Sequence, residues 1–312
     1  MKRFFWPLVG LAAVLFSAWL LYGELRHLSL DDLWESLAAI PLRDWILALL
    51  ATVLAYAALA GYDHIALKHL GRRVDWRFMT LCSFTTYALS HNIGASVISG
   101  SVVRYRAYTA QGLTGAEVGV LVGLCSFTFA LGTVLLAGIV LLLEPELTER
   151  FAEIMPVKLS TVAGLLLLAL VGLYVAGSAL RLPPLKIGSL RLEYPRLPIV
   201  ARQLVIGPLE LIGAAAILYF ALPEAGNPGF VIVLGIFLIS FSAALLSHAP
   251  GGLGVLELVF ILGLPEMAPE DVLAALLVFR LFYLLIPLAI ALVVVLGFER
   301  SQLLKGRAGP AA

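Results

Sequence analysis

Residues 88–112 read ALSHNIGASVISGSVVRYRAYTAQG, and residues 245–257 read LLSHAPGGLGVLE. Each interrupts a long apolar stretch with a polar, glycine-bearing break. Leu89, Ser90, His91 and Gly94 of the first recur as Leu246, Ser247, His248 and Gly251 of the second, at one constant offset. Irregular backbone at membrane depth is tolerated only where protein buries it or where it lines a wet cavity. How the chain enters and leaves these two breaks therefore decides the fold.

The text around them is that of a polytopic membrane protein: 61% of the 312 residues are hydrophobic and 13% charged. Apolar runs long enough to cross a ~30 Å hydrocarbon core cover 4–22, 44–66, 116–143, 157–180, 203–222 and 271–298. Two further apolar regions, 78–112 and 229–264, carry the breaks. The longest polar interruption runs from Arg181 to Gln203, too short for a soluble catalytic domain of at least ~50 residues. Cys82 and Cys125 lie in apolar stretches and read as buried thiols rather than a disulfide or metal pair. No metal site, cofactor or nucleic-acid partner is expected. At the amino terminus, the run Phe4–Tyr22 exceeds a ~7–15-residue signal h-region, and Gly23-Glu24 offers no small-x-small cleavage site. A retained first helix is the expectation.

Loop charge orients the spans. The connection 67–77 holds Lys68, Arg72, Arg73 and Arg77, and 181–202 holds Arg181, Lys186, Arg191, Arg196 and Arg202. The tail adds Arg300, Lys305 and Arg307, whereas 23–44 and 144–153 are acidic. The positive-inside bias puts the basic loops and both termini in the cytoplasm. The path then requires an even number of crossings within 78–112, making that segment a hairpin, either fully spanning or re-entrant. The same holds for 229–264 on the outer side. Each half has an odd number of crossings, so two similar halves must run in opposite orientation. The expected fold is an all-α polytopic membrane protein of two inverted repeats, 1–153 and 154–300, each with a Gly/Pro-broken hairpin, and a cytoplasmic tail 301–312. Interrupted segments at corresponding places in such repeats point to a transport site.

A charge at the centre of a span costs ~2.5–3.5 kcal/mol on insertion scales, so each ionisable residue there needs a role. Asp63, His64, His91, Arg104, Arg106, Glu117, Glu210, His248, Glu257 and Arg280 lie within the apolar regions. Glu210 sits mid-span beside Pro208 with no basic residue near it on its own helix, which favours function. Glu257 and Arg280 fit a buried pair that docks the second hairpin, or a site; the two readings need the same geometry. Arg104 and Arg106 form R-x-R near Tyr105 and Tyr108. Guanidinium groups match phosphate oxygens bidentately, and snorkelling interfacial anchors are the plainer alternative. His91 and His248 each follow a serine, yet no orienting carboxylate or oxyanion motif accompanies them, so no catalytic residue is assigned. Together with Asn92, Gly94, Gly251 and Gly252 they read as hairpin tips. Asp63-His64 reads as a solvated helix end at the cytoplasmic edge.

SHNIG, SGSVVRYRAY and GLTGAEV in the first half, with LSHAPGGLGVLE and VFRLFYLLIPL in the second, resemble the membrane domain of lysylphosphatidylglycerol synthetases. These are the multiple peptide resistance factor proteins of bacteria, and the resemblance covers nearly the whole chain. It implies movement of aminoacylated phosphatidylglycerol between leaflets. A separate soluble aminoacyltransferase domain makes that lipid in the family, and these residues are not expected to hold one or to act as an enzyme. By motif position, the resemblance also implies roles for Asp63, Arg104 and Glu210. The expectation is a flippase-like transporter in a bacterial cytoplasmic membrane, with headgroup phosphate meeting Arg104 and Arg106. Arg280 would serve the opposite side of the cycle, and Glu210 and Asp63 would engage a cationic aminoacyl group or a proton. A small-solute secondary transporter, or a membrane partner subunit of a lipid synthase, remains the alternative. A phospholipid is the expected partner, and a homo-oligomer or a synthase subunit is left open.

Overall fold

Local chemistry at the ends of the apolar runs sets the helix boundaries. The computed structural model describes residues 30–93, 96–151, 161–182, 185–187, 190–192, 195–247 and 250–307. The expected first span 4–22, Gly94, His248 and the last five residues of the tail lie outside them. A short helix α1 (Leu30–Ala39) precedes α2 (Leu42–His69). Gly71, at φ 68°, lets the Arg72 N–H turn back to the Leu67 carbonyl at 3.0 Å. This left-handed stop would strain any side chain. The first helix pair is α3 (Trp76–Ile93) and α4 (Ser96–Thr109), followed by the long α5 (Gly115–Leu143). Thr114 and Glu117 close a capping box at the start of α5: the Glu117 N–H donates to Thr114 Oγ1 at 3.3 Å, and Glu117 Oε2 accepts from the Thr114 N–H at 2.8 Å. Glu117 also pairs with Arg72 at 2.7 Å. This carboxylate serves a helix start and a loop.

A 3₁₀ turn at Pro145–Phe151 leads to α6 (Thr161–Ala179). A small antiparallel hairpin of β1 (Leu185–Ile187) and β2 (Leu190–Leu192) then leads to α7 (Leu197–Ala221). The second helix pair, α8 (Phe230–Ser247) and α9 (Val255–Gly263), folds around the turn Pro250–Gly252. There Gly251, Gly252 and Gly254 take φ of 59°, 65° and 78°, which explains the P-G-G-x-G spelling of this break. The expected span 271–298 is not one regular helix. It consists of α10 (Pro269–Phe279), a π turn at Arg280–Leu285 and α11 (Ile286–Arg307). Within it the Ile286 N–H bonds the Leu281 carbonyl, one residue beyond the α register. Pro287 just downstream has no N–H to offer the Tyr283 carbonyl, so the regular ladder fails there.

Among the described residues, six helices are long and apolar enough to cross a membrane: α2, α5, α6, α7, α8 and the stretch Pro269–Gly297. Five coincide with expected spans, and α8 is the first limb of the second expected hairpin. This is a multi-pass membrane protein, helical in its membrane part, with the short β1–β2 hairpin outside the spans. The partner limb of α8, α9, with 9 residues, extends about 14 Å, roughly half the hydrocarbon core. Trp34 on α1 and Trp76 at the start of α3 flank α2 and are exposed, with the Arg77 guanidinium 5.5 Å from the Trp76 ring. Such side chains suit the headgroup level.

The packing repeats itself. α2 rests on α3 and α5, as α7 rests on α8 and α10. α3 packs on α4 and α4 on α5, as α8 packs on α9 and α9 on α10. Across the halves, α5 meets α8 and α11 meets α3, and α2 lies along α7 at the centre. Small residues permit the central crossings: a Cβ on Gly213 would stand 2.9 Å from the Ala55 backbone nitrogen. One on Gly132 would stand 2.6 Å from the Gly207 carbonyl carbon. Close backbone approach of this kind is how helices associate when lipid supplies no hydrophobic drive.

Candidate functional site

The central helices α2 and α7 carry the two most deeply placed acids. Asp63 is fully buried on α2, six residues before its end, so the reading of a solvated helix edge is corrected. Arg104 and Tyr108 of α4 and Cys125 of α5 close over it. Arg104 from α4 donates to Asp63 through Nη2 at 2.6 Å and Nε at 3.4 Å. The Tyr108 hydroxyl donates to Asp63 Oδ2 at 2.6 Å, and Cys125 Sγ lies 3.6 Å from Oδ1. The Arg104 guanidinium also lies 4.7 Å from the Tyr87 ring centroid, a cation–π contact strengthened by the burial of Arg104. R-x-R therefore divides: Arg104 is 4% exposed and satisfied by Asp63, whereas Arg106 is on the exposed side of α4.

Glu210 on α7 is 1% exposed. Its carboxyl accepts from the Tyr283 hydroxyl at 2.5 Å, and the Tyr62 hydroxyl, shared with the Gly207 carbonyl at 3.3 Å, lies 3.4 Å from it. Among the described residues no basic side chain reaches it. Tyr62 is the neighbour of Asp63 on α2, so one turn of that helix serves both acids. The Tyr56 hydroxyl donates to the Tyr283 carbonyl at 2.9 Å, filling the vacancy left by Pro287. His91 stacks on Tyr283 with ring centroids 5.1 Å apart, and its Nδ1 is enclosed with no hydrogen-bond partner among the described residues. Tyr87 touches both the Tyr62 and His91 rings. An aromatic path thus joins the Asp63–Arg104 pair to Glu210.

Glu257 and Arg280 come together at the second break. The Arg280 guanidinium pairs with Glu257 Oε1 and donates from Nη1 to the Gly251 carbonyl at 2.9 Å. Glu257 Oε2 accepts from the Gly254 N–H at 2.8 Å, at the start of α9. Each polar atom of the pair has a docking task, and neither residue joins the Glu210 cluster by an ion pair. Asn92, at the first hairpin tip, donates to the Leu284 carbonyl at 3.1 Å. Gly252 is buried in the second tip against Leu256 and Ala244. Cys82 and Cys125 are both free and buried.

The sequence reading missed the tyrosines. Tyr62, Tyr108 and Tyr283 are fully buried yet supply the donors that hold both acids. A tyrosine in mid-span is a weak signal, but Tyr62 beside Asp63 and Tyr283 four residues before Pro287 were readable. Gln203 was also missed: it is fully buried, accepts from the Tyr174 hydroxyl at 2.8 Å and donates to Thr128 Oγ1 at 2.9 Å.

Residues 8–291 match the family described as the lysylphosphatidylglycerol synthase transmembrane region. An uncharacterized protein of Synechocystis sp. is 29% identical over 297 residues, spanning 94% of this chain and 91% of that protein. The inner membrane protein YbhN of Escherichia coli strain K12 is 31% identical over 259 residues, spanning 82% of this chain and 80% of that protein. A phosphatidylglycerol lysyltransferase of Staphylococcus haemolyticus is 39% identical over 92 residues, which are 28% of this chain and 11% of that protein.

Proposed function

We propose, from the premise that this chain belongs to the lysylphosphatidylglycerol synthase transmembrane-region family, that it is a flippase-like lipid transporter of a bacterial inner membrane. Its cargo would be an anionic, aminoacylated phospholipid such as lysylphosphatidylglycerol. One observation carries this reading: Glu210 is buried at the centre of the helix bundle with the Tyr283 hydroxyl as donor, the Tyr62 hydroxyl beside it and, among the described residues, no cationic side chain. Asp63 and Glu257 are each neutralised by an arginine. A carboxyl kept without such a partner in an apolar span is set aside for a mobile one, and a cationic aminoacyl group or a coupling proton fits that role.

The Asp63–Arg104 pair would take the other end of the headgroup. A phosphate would exchange with Asp63 on the planar fork of Arg104, with Tyr108 left to hold the released carboxylate. Arg106, exposed on the same helix, would make the first encounter. The second helix pair would be re-entrant, since α9 is too short to cross, and the first would match it. The halves 1–153 and 154–300 would be inverted repeats that admit the headgroup from alternate sides, with both termini cytoplasmic. No catalytic step is assigned to any of these residues, and the Glu257–Arg280 pair would hold one hairpin in place through the cycle.

Lipid mass spectrometry of the purified protein tests the cargo. Aminoacylated or other anionic phospholipid should be enriched over the bulk membrane extract. Copurified lipid of bulk composition would favour a small-solute carrier on the same scaffold. Transport by the purified protein alone would exclude a purely scaffolding role beside a lipid synthase.

A further inference from the structure

Both hairpins are tied to the same six residues of the last span, the π turn Arg280–Leu285. From the second hairpin, the Gly251 carbonyl and Glu257 hold Arg280 at the start of the turn. From the first, Asn92 Nδ2 donates to the Leu284 carbonyl at 3.1 Å and to the Ala88 carbonyl of its own helix at 2.8 Å. Between these anchors lies Tyr283, whose hydroxyl donates to Glu210 Oε1 at 2.5 Å. His91, the residue before Asn92, stacks on the Tyr283 ring.

A π turn takes carbonyls out of the regular ladder, and buried carbonyls need donors. Pro287 withholds one N–H, and side chains from two other helices donate to carbonyls of the turn: Tyr56 to the Tyr283 carbonyl, left without its ladder donor, and Asn92 to the Leu284 carbonyl. The shape of the turn is therefore set from outside the helix that contains it. We propose that Asn92 is a positioning residue for the Glu210 site. By holding the Leu284 carbonyl, it fixes the π turn in the register that places the Tyr283 hydroxyl on Glu210. Asn92 makes no hydrogen bond to Glu210 and acts only through the turn. The proposal rests on the transport reading of Glu210 only for its consequence in transport. The geometric coupling stands separately.

Infrared spectroscopy of the full chain in lipid bilayers reads that coupling. The Glu210 carboxyl stretch is the band lost in Glu210→Gln, and Tyr283→Phe, which removes the donor, should shift it. Asn92→Ala should shift the same band in the same direction, and adding it to Tyr283→Phe should shift it no further. Asn92→Ser provides a milder variant: its hydroxyl can still reach the Ala88 carbonyl one turn back but is too short for Leu284. It should behave as Asn92→Ala does. A band that stays at its wild-type position in the folded Asn92→Ser or Asn92→Ala protein overturns the proposal. A shifted band with wild-type lipid transport supports the positioning role and removes Glu210 from the transport reading. An unmoved band with lost transport does the reverse.

Discussion

Arg104 donates to both carboxylate oxygens of Asp63, at 2.6 Å and 3.4 Å, and neither side chain is more than 5% exposed. Removing one partner of such a pair leaves a buried charge uncompensated, a loss of ~3–5 kcal/mol, whereas removing both is far milder. Asp63→Asn and Arg104→Gln should each reduce the yield of folded protein on size-exclusion chromatography, and the double variant should recover much of it. Arg104→Lys keeps the charge but loses the fork, so lipid transport should fall more than yield does. Equal losses in the single and double variants would show that the two residues act independently.

The same logic applies to Glu257 and Arg280, with a different consequence. Their partners are the Gly251 carbonyl and the Gly254 N–H at the break itself, so the pair pins a turn as well as a charge. Glu257→Gln or Arg280→Gln alone should cost ~3–5 kcal/mol and increase protease access at the exposed Leu253. Neutralising both should restore yield without restoring transport. Wild-type yield in both single variants would remove the pair from the account of hairpin docking.

Outside the spans, Arg150 joins the turn Pro145–Phe151 to the connection between α9 and α10 through the Gly263 carbonyl and Glu266. The Arg150 guanidinium holds the Glu266 carboxyl below its usual range. A carboxyl depressed in the folded state stabilises above the unfolded value of ~4.3 and loses that contribution as pH falls through the folded value. Glu266 is 42% exposed, so solvent screening limits the contribution to well under ~1 kcal/mol. Thermal unfolding in detergent should show wild type slightly more stable than Glu266→Gln at pH 7, with the gap closing below about pH 4. A gap unchanged at low pH would mean the clamp is packing rather than charge.

Single-cysteine labelling, in a background lacking Cys82 and Cys125, tests the proposed orientation. Positions near Arg72 and Arg191 should react only from the cytoplasm, and positions near Glu149 and Glu224 only from outside. Labelling of both hairpin tips, near Asn92 and Gly252, from the same side would end the proposal of inverted repeats.

Much of the fold was readable because hydropathy over ~20 residues reports what a bilayer demands. Five spans and both helix pairs stand where hydropathy and the polar, glycine-bearing breaks placed them. The burial of Asp63 was not readable, because its partner Arg104 lies 41 residues away on another helix and distance along the chain carries no sign of pairing. Nor was the π turn foreseen, although Pro287 announces it: an interior proline removes one ladder bond, and Tyr283 is the residue left without it. Glu210 stood out in the sequence for lacking a basic neighbour on its own helix. The tyrosines that hold it arrive from α2 and the π turn, and only the packing brings them there.

The central claim is that Glu210 receives a mobile cation or proton during lipid transport. Vesicles reconstituted with wild type or Glu210→Gln, and loaded with a fluorescent or enzyme-accessible aminoacylated phosphatidylglycerol, measure it directly. Glu210→Gln keeps the shape of the side chain, so the fold and elution profile should match wild type. The rate of lipid movement between leaflets should fall at least tenfold, ~1.4 kcal/mol in the barrier. Wild-type rates from folded Glu210→Gln protein would contradict the account.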